Sequence, residues 1–203
     1  MFFEVVFDVE TKTFFDEAGT FDPSKLGVSI VSLYTRELDE NLKEIKGKML
    51  SFWEREFKEM WKYFDKADRI IGFNSLSFDV PALSPYSPPG FAKLPHFDVL
   101  YKIKEATGYK TSLNSLAKAT LGTKKIDSGK NAILYFRKGD KKSLELLKKY
   151  CEKDVEITKD VYDYGLTNKI LKFTDYWNNP REIEIDFSHT AKKNAPVPQP
   201  SLF

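Results

Sequence analysis

The sequence predicts an α/β fold in which helices flank a mixed β-sheet. Three strand-forming runs lie in the first fifty residues, and helix-forming and strand-forming segments alternate after them. The length of 203 residues suits one domain with a sizeable core. An apolar fraction of 41% and an aromatic fraction of 15% exclude general disorder.

Charge and cysteine content narrow the class of protein. The net charge of +2 indicates no particular partner for the whole chain. The single cysteine, Cys151, excludes an internal disulfide framework, favours a reducing compartment and is expected in the core. No apolar run reaches the roughly 18 residues of a membrane span, and the N-terminus lacks the basic start of a signal peptide. We therefore expect a soluble, cytoplasmic protein with no membrane partner.

The first third of the chain predicts strands and one long helix. Strands are predicted over residues 2–9, 26–35 and 69–74, where Phe, Val and Ile are frequent, and over residues 41–50. Residues 51–67 place aromatic side chains at spacings of three and four, which predicts an amphipathic helix with Ser51 as its N-cap.

The remainder predicts two helices, two short strands and a tail. The helices cover residues 112–122, closed by Gly122, and 141–165, closed by Gly165. The strands are expected near 169–173 and 182–187. Residues 1–187 would thus form one domain, and residues 188–203, which contain three prolines and no periodicity, a flexible tail.

Two carboxylates interrupt the apolar first strand. Asp8 and Glu10 are two positions apart, so their side chains point to the same face. Neighbouring carboxylates repel, and burial adds to the cost. A divalent cation would relieve both effects because it prefers hard oxygen ligands. Taken alone, the pair also fits a solvated turn at the end of a strand.

Two later segments carry matching chemistry. Asn74 and the pair Phe78 and Asp79 follow the short strand, where a helix begins. Tyr150 and Asp154 are four residues apart on a predicted helix and share one face. An N-cap role is the alternative for Asp79, and an ordinary half-buried helix face is the alternative for the other pair.

In this order, "DVE" (8–10), "NSLSFD" (74–79) and "YCEKD" (150–154) resemble the three motifs of the DEDD superfamily of 3′–5′ exonucleases. The spacing of Tyr150 and Asp154 resembles the tyrosine subclass. The chain is similar over residues 1–165 to the proofreading exonuclease domain of family B DNA polymerases. The resemblance implies a ribonuclease H-like fold.

The resemblance also implies a two-metal hydrolysis of DNA. The expected ligands of two divalent cations, Mg²⁺ or Mn²⁺, are Asp8, Glu10, Asp79 and Asp154. Tyr150 would orient the attacking water, since an ordinary tyrosine pKa of about 10 makes it a poor base at neutral pH. The product would be a nucleoside 5′-monophosphate, and the process served would be DNA repair or replication.

Three residues near these motifs are candidates for binding the 3′ end of the substrate. Asn74 and Phe78 match the second motif, although Phe78 also fits a core position. Thr11 directly follows the first motif and offers a backbone or hydroxyl hydrogen bond.

Residues 122–142 are a candidate basic loop for single-stranded nucleic acid. Seven Lys and Arg residues face two Asp residues here, an excess of +5, and Tyr135 and Phe136 are interleaved. Lys124 and Lys125 are the candidate phosphate-binding residues. A solvated loop without a ligand is the alternative.

The last five residues, "QPSLF", place large apolar side chains at the end of a polar tail. Gln199, Leu202 and Phe203 resemble the peptide with which bacterial replication and repair proteins bind the sliding clamp. We therefore expect a sliding clamp as a partner. The alternative is that these side chains dock on the domain itself.

The leading hypothesis is a metal-dependent 3′–5′ exonuclease that acts on single-stranded or frayed DNA ends. The alternatives are an exoribonuclease that trims RNA ends and a nucleic-acid-binding module without catalytic activity.

Overall fold

The computed structural model describes residues 1–122, 129–175, 177 and 179–188. The strands are β1 (Phe2–Thr11), β2 (Val28–Leu38), β3 (Glu44–Trp53), β4 (Arg69–Gly72), β5 (His96–Asp98), β6 (Ile170–Thr174) and β7 (Pro180–Glu184). The helices are α1 (Phe15–Ala18), α2 (Phe57–Asp65), α3 (Asp79–Leu83), α4 (Val99–Thr107), α5 (Leu113–Leu121), α6 (Gly129–Lys138) and α7 (Lys141–Asn168).

The main sheet is mixed, as the sequence predicts. Its five strands lie in the order β3-β2-β1-β4-β5. The pairs β3–β2 and β2–β1 are antiparallel, whereas β1–β4 and β4–β5 are parallel. The carboxyl ends of β1, β4 and β5 therefore meet at one edge of the sheet, where ligand sites of α/β folds commonly lie. The strands β6 and β7 form a separate antiparallel pair.

The two faces of β1 enter two different cores. Val5, Phe7 and Val9 pack in a core cluster with α2 side chains such as Met60 and Phe64. Val6 points the other way, into a cluster with residues of α4, α5, α7 and β6–β7. Since side chains alternate along a strand, Asp8 and Glu10 share the α7 face with Val6.

Two predicted helix boundaries are wrong. Ser51 lies within β3 opposite Ser32, so the helix begins six residues later, at Phe57. Trp53 ends the strand, and Glu56 accepts its backbone N–H. The aromatic spacing was misleading because Phe52 is a buried strand residue of the same core.

Gly165 does not end the last helix, which continues to Asn168. A Cβ atom at Gly165 would lie 2.1 Å from the ring of Phe187, so the glycine admits that ring against the helix. The expected basic loop is in part the helix α6. Among the described residues, no helix is long and apolar enough to cross a membrane.

Candidate active site

The carboxyl end of β1 supplies two carboxylates on one face of the sheet. Asp8 and Glu10 lie opposite Ser32 and Ile30 of β2, and the register shifts between Glu10 and Thr11. Such a bulge increases the local twist and redirects side chains. Glu10 is buried and Asp8 is half-buried. The predicted same-face arrangement of the two carboxylates is confirmed.

The loop after β4 brings a third carboxylate to this strand. Asp79 begins α3, and its Oδ1 accepts the backbone N–H of Val9 at 3.1 Å. Asn74 has a φ of 63°, a left-handed conformation that asparagine adopts more readily than most residues. The Asp98 carboxylate accepts the backbone N–H groups of Asn74 and Leu76, both at 2.9 Å. Asp98 therefore fixes the loop that leads into Asp79.

Helix α7 supplies the fourth carboxylate and the tyrosine. The Tyr150 hydroxyl hydrogen-bonds to the Asp154 carboxylate one turn away, and burial, followed by the charge of Asp154, raises the pKa of Tyr150. Cys151 is fully buried, as expected. Its Sγ also lies 3.5 Å from the Asp8 carbonyl oxygen and 3.7 Å from Asp8 Oδ2. The sequence did not predict this contact, because it depends on how α7 packs across β1.

Burial and mutual repulsion dominate the electrostatics of these groups. Burial, then the charges of Asp79, Glu10 and Asp154, hold the pKa of Asp8 well above its ordinary value. Burial, together with the charges of Asp98 and Asp154, raises the pKa of Asp79 to about 7. Within the described part of the chain, neither Asp8 nor Asp79 forms a salt bridge.

A cavity of about 330 Å³ opens onto these groups. Seven of the residues that the sequence singled out line it: Asp8, Glu10, Thr11, Asn74, Phe78, Asp79 and Tyr150. A second cavity of about 320 Å³ is lined by Tyr150 and Asp154. The two cavities share Tyr150, and the first is near the lower limit of about 300 Å³ for small-molecule sites.

Two of the candidate substrate-binding residues have additional contacts. The Thr11 hydroxyl donates to the Thr13 carbonyl oxygen at 3.2 Å. This hydrogen bond orients the Thr11 side chain in the cavity wall. Phe78 packs against the core and also lines the cavity, so the structure combines its two alternatives. A role in substrate binding stays a prediction for both.

Sequence reasoning missed part of the cavity wall. Phe14 and Phe15, at the start of α1, line the cavity, and so does Ile133 of α6. Two adjacent phenylalanines in the polar stretch after the first motif were a usable signal. Ile133 gave no signal, because only the tertiary fold brings α6 beside β1. Lys124 and Lys125 lie outside the described residues.

The donor set fits a divalent cation. Ligand atoms of Asp8, Glu10 and Cys151 lie within 4.8 Å of one another. Asp79 and Asp154 are close enough to raise the pKa of Asp8. Clustered carboxylates with raised pKa values are stabilised by a hard cation, because it offsets their repulsion and accepts oxygen ligands.

Comparison of the sequence with models of known protein families gives a match. A family model described as RNase_H superfamily matches residues 5–165, a range that includes all four carboxylates. The match supports a nuclease, and nucleases of this kind use divalent metals. A comparison with curated proteins found no match.

Proposed function

The chain belongs to the RNase H superfamily, and on that basis we propose that it is a metal-dependent 3′–5′ exonuclease. Its substrate would be a single-stranded or frayed DNA 3′ end, and its product a nucleoside 5′-monophosphate. The observation that supports this most strongly is the convergence of three distant segments on one cavity, with Asp8 and Glu10 beside Asp79 and Tyr150.

Four carboxylates would hold two divalent cations: Asp8, Glu10, Asp79 and Asp154. Mg²⁺ or Mn²⁺ suits such oxygen ligands. When bound, two such cations clamp the attacking and leaving oxygens of an in-line displacement. Tyr150, which lines both cavities beside Asp154, would orient a water molecule there. Asn74 and Phe78 would position the terminal nucleotide.

The test uses single-stranded DNA and RNA of equal sequence, labelled at either end, with Mg²⁺, Mn²⁺ or EDTA. We expect 5′-labelled DNA to shorten stepwise, 3′-labelled DNA to release a labelled mononucleotide, and EDTA to stop both reactions. Faster degradation of RNA would favour the exoribonuclease. Binding without cleavage under all these conditions would favour the silent binding module and contradict the proposal.

Recruitment by a sliding clamp is a second part of the proposal. It rests on the sequence of Gln199, Leu202 and Phe203, which lie outside the described residues. The chain before the tail is held at the opposite end of the sheet from the cavity: Arg69, the first residue of β4, donates hydrogen bonds to the carbonyl oxygens of Phe187 and Ser188.

Deletion of residues 199–203 tests this part. We expect the truncated protein to retain its activity on short oligonucleotides and to lose binding to a bacterial sliding clamp, with the double substitution Leu202→Ala and Phe203→Ala behaving alike. Equal clamp binding by both forms, or a melting temperature lowered by the truncation, would favour a tail docked on its own domain.

A further inference from the structure

Two elements whose residues line the first cavity are joined by an ion pair. The Glu17 carboxylate of α1 binds the Arg137 guanidinium of α6 through two parallel hydrogen bonds, one of them 2.8 Å long between Nη1 and Oε1. The guanidinium also lies 5.4 Å from the ring centroid of Phe14. We call the pair Glu17–Arg137 the clasp.

The clasp follows directly on residues that line the cavity. Ile133 lines the cavity and is buried, and Arg137 follows four residues later, so it lies on the same face of α6 one turn further along. On the other side, Phe14 and Phe15 line the cavity and Glu17 comes next in α1. Both side chains of the clasp are partly exposed, at 39% for Arg137 and 45% for Glu17.

A second contact joins the same two regions. The Lys12 ammonium, from the segment between β1 and α1, lies 5.9 Å from the ring centroid of Phe136 in α6. Its other partner is Glu54, at 2.5 Å. A single exposed ion pair stabilises little, but a bidentate arginine with a stacked ring and a neighbouring cation–π contact holds its geometry better.

The second cavity shares a wall residue with the first. Tyr150 lines both cavities, and Tyr135, Lys149 and Lys153 line the second. The clasp joins α1 to α6, which both line the first cavity, whereas the second cavity lies along α6 and α7. A strand that left the first cavity between α1 and α6 would have to pass the clasp.

We propose that the Glu17–Arg137 clasp makes the nuclease require a free strand end. With the clasp in place, the first cavity holds the terminal nucleotide and admits no continuing strand, while the rest of the substrate leaves past Tyr150. This inference rests on the proposed nuclease function and adds the residues that set its preference for ends over internal bonds.

The test compares linear and circular single-stranded DNA of the same sequence, with Mg²⁺ or Mn²⁺. The wild-type protein should degrade the linear strand and leave the circle intact. Glu17→Arg and Arg137→Glu each replace the attraction with repulsion. Either variant should raise the ratio of circular to linear cleavage by roughly tenfold or more, a common size for a change in pocket discrimination.

The double variant Glu17→Arg/Arg137→Glu restores opposite charges and should return the ratio toward wild type. Lys102→Ala is the matched control, because it breaks an exposed ion pair with Glu105 on α4, away from the cavity. Cleavage of the circle by the wild-type protein at the linear rate, or single variants with the wild-type ratio, would overturn the proposal.

A binding measurement separates this proposal from the proposed function. In EDTA, unlabelled linear or circular strands compete with a fluorescently labelled oligonucleotide for the protein. Fluorescence anisotropy measures how much of the labelled oligonucleotide stays bound. The wild-type protein should prefer the linear strand, and Glu17→Arg should lose that preference. A wild-type protein that cleaves nothing but shows this pattern would refute the nuclease and support the clasp. Equal competition by the two strands would overturn the clasp whatever the cleavage result.

Discussion

Both ends of β1 carry buried acidic side chains, but only the first end pairs them with a cation. At the start of the strand, Glu4 is fully buried. Arg36 lies 2.7 Å from it, and the Tyr162 hydroxyl donates to it at 3.0 Å. At the far end, burial and three other carboxylates raise the pKa of Asp8. The Cys151 thiol donates a hydrogen bond to Asp8, which lowers that pKa.

The difference is that the protein itself neutralises one charge and leaves the other beside like charges. Glu4 is neutralised by the protein itself, in a network that Arg36 extends to Asp163 and that Tyr162 extends to Arg69. The Asp8 end keeps its repulsion, which a cation supplied from solution would relieve. Strain of this kind is retained where a ligand offsets it.

The largest expected effect concerns activity at the carboxylate end. Asp8→Ala or Asp154→Ala should lower kcat by about 10³-fold or more, because each removes a ligand that stabilises charge in the transition state. The metal-free melting temperature should stay level or rise, since one repelling charge is gone. Cleavage rates and thermal melts in EDTA measure the two effects.

Asp160→Ala is the control for that experiment, because Asp160 lies on the same helix and is exposed, with an ion pair of 3.4 Å to Lys159. Its rate should match wild type. If both Asp8→Ala and Asp154→Ala cleaved at the wild-type rate, the catalytic role proposed for these carboxylates would be wrong. The contrast between the two ends of β1 would then have no functional meaning.

A smaller loss is expected from Tyr150→Phe. The change deletes one hydroxyl and no metal ligand, so kcat should fall by about 10²-fold, the usual size for one well-placed hydrogen-bond donor. Titration calorimetry with Mn²⁺ should give an unchanged affinity. A metal affinity that falls as far as the rate would mean that Tyr150 organises the ligands instead of the water.

At the other end of the strand, Glu4→Ala should reduce stability and not chemistry. Breaking this buried ion pair leaves Arg36 only its more exposed partners, Asp163 and Glu44, at a cost of up to about 3–5 kcal/mol in the free energy of unfolding. The cleavage rate per folded molecule should be unchanged. Urea unfolding measures the cost, and Glu105→Ala, at an exposed pair, should cost about 1 kcal/mol or less.

The smallest expected effect is a change in folding stability with pH at His96, which lies beside Ile70 in the sheet. Burial lowers the pKa of His96, whose Nε2 lies 3.0 Å from the Phe91 carbonyl oxygen. As the pH falls below about 6.5, the unfolded chain binds a proton that the folded chain resists, so stability declines. The decline should be smaller in His96→Gln, measured as the difference between urea titrations at pH 7 and pH 5.

Much of the fold was predictable because local patterns and tertiary packing agree. The strand β1, the end of α5 at Gly122 and the mixed sheet all follow from the sequence. The helix expected from Ser51 failed because its aromatic spacing fits a buried strand followed by a helix. Gly165 failed as a stop signal because a distant ring, Phe187, required the small residue there.

By itself, the sequence determined which chemical groups this protein has and the order in which the chain presents them. Asp8 and Glu10 had to share a face because strand side chains alternate, and Tyr150 and Asp154 had to share one because helix side chains repeat. Only the tertiary structure decided that these faces meet, that Cys151 touches Asp8, and that Arg137 reaches Glu17. Contacts between segments more than 100 residues apart depend on how helices pack across the sheet, which no local pattern of residues specifies.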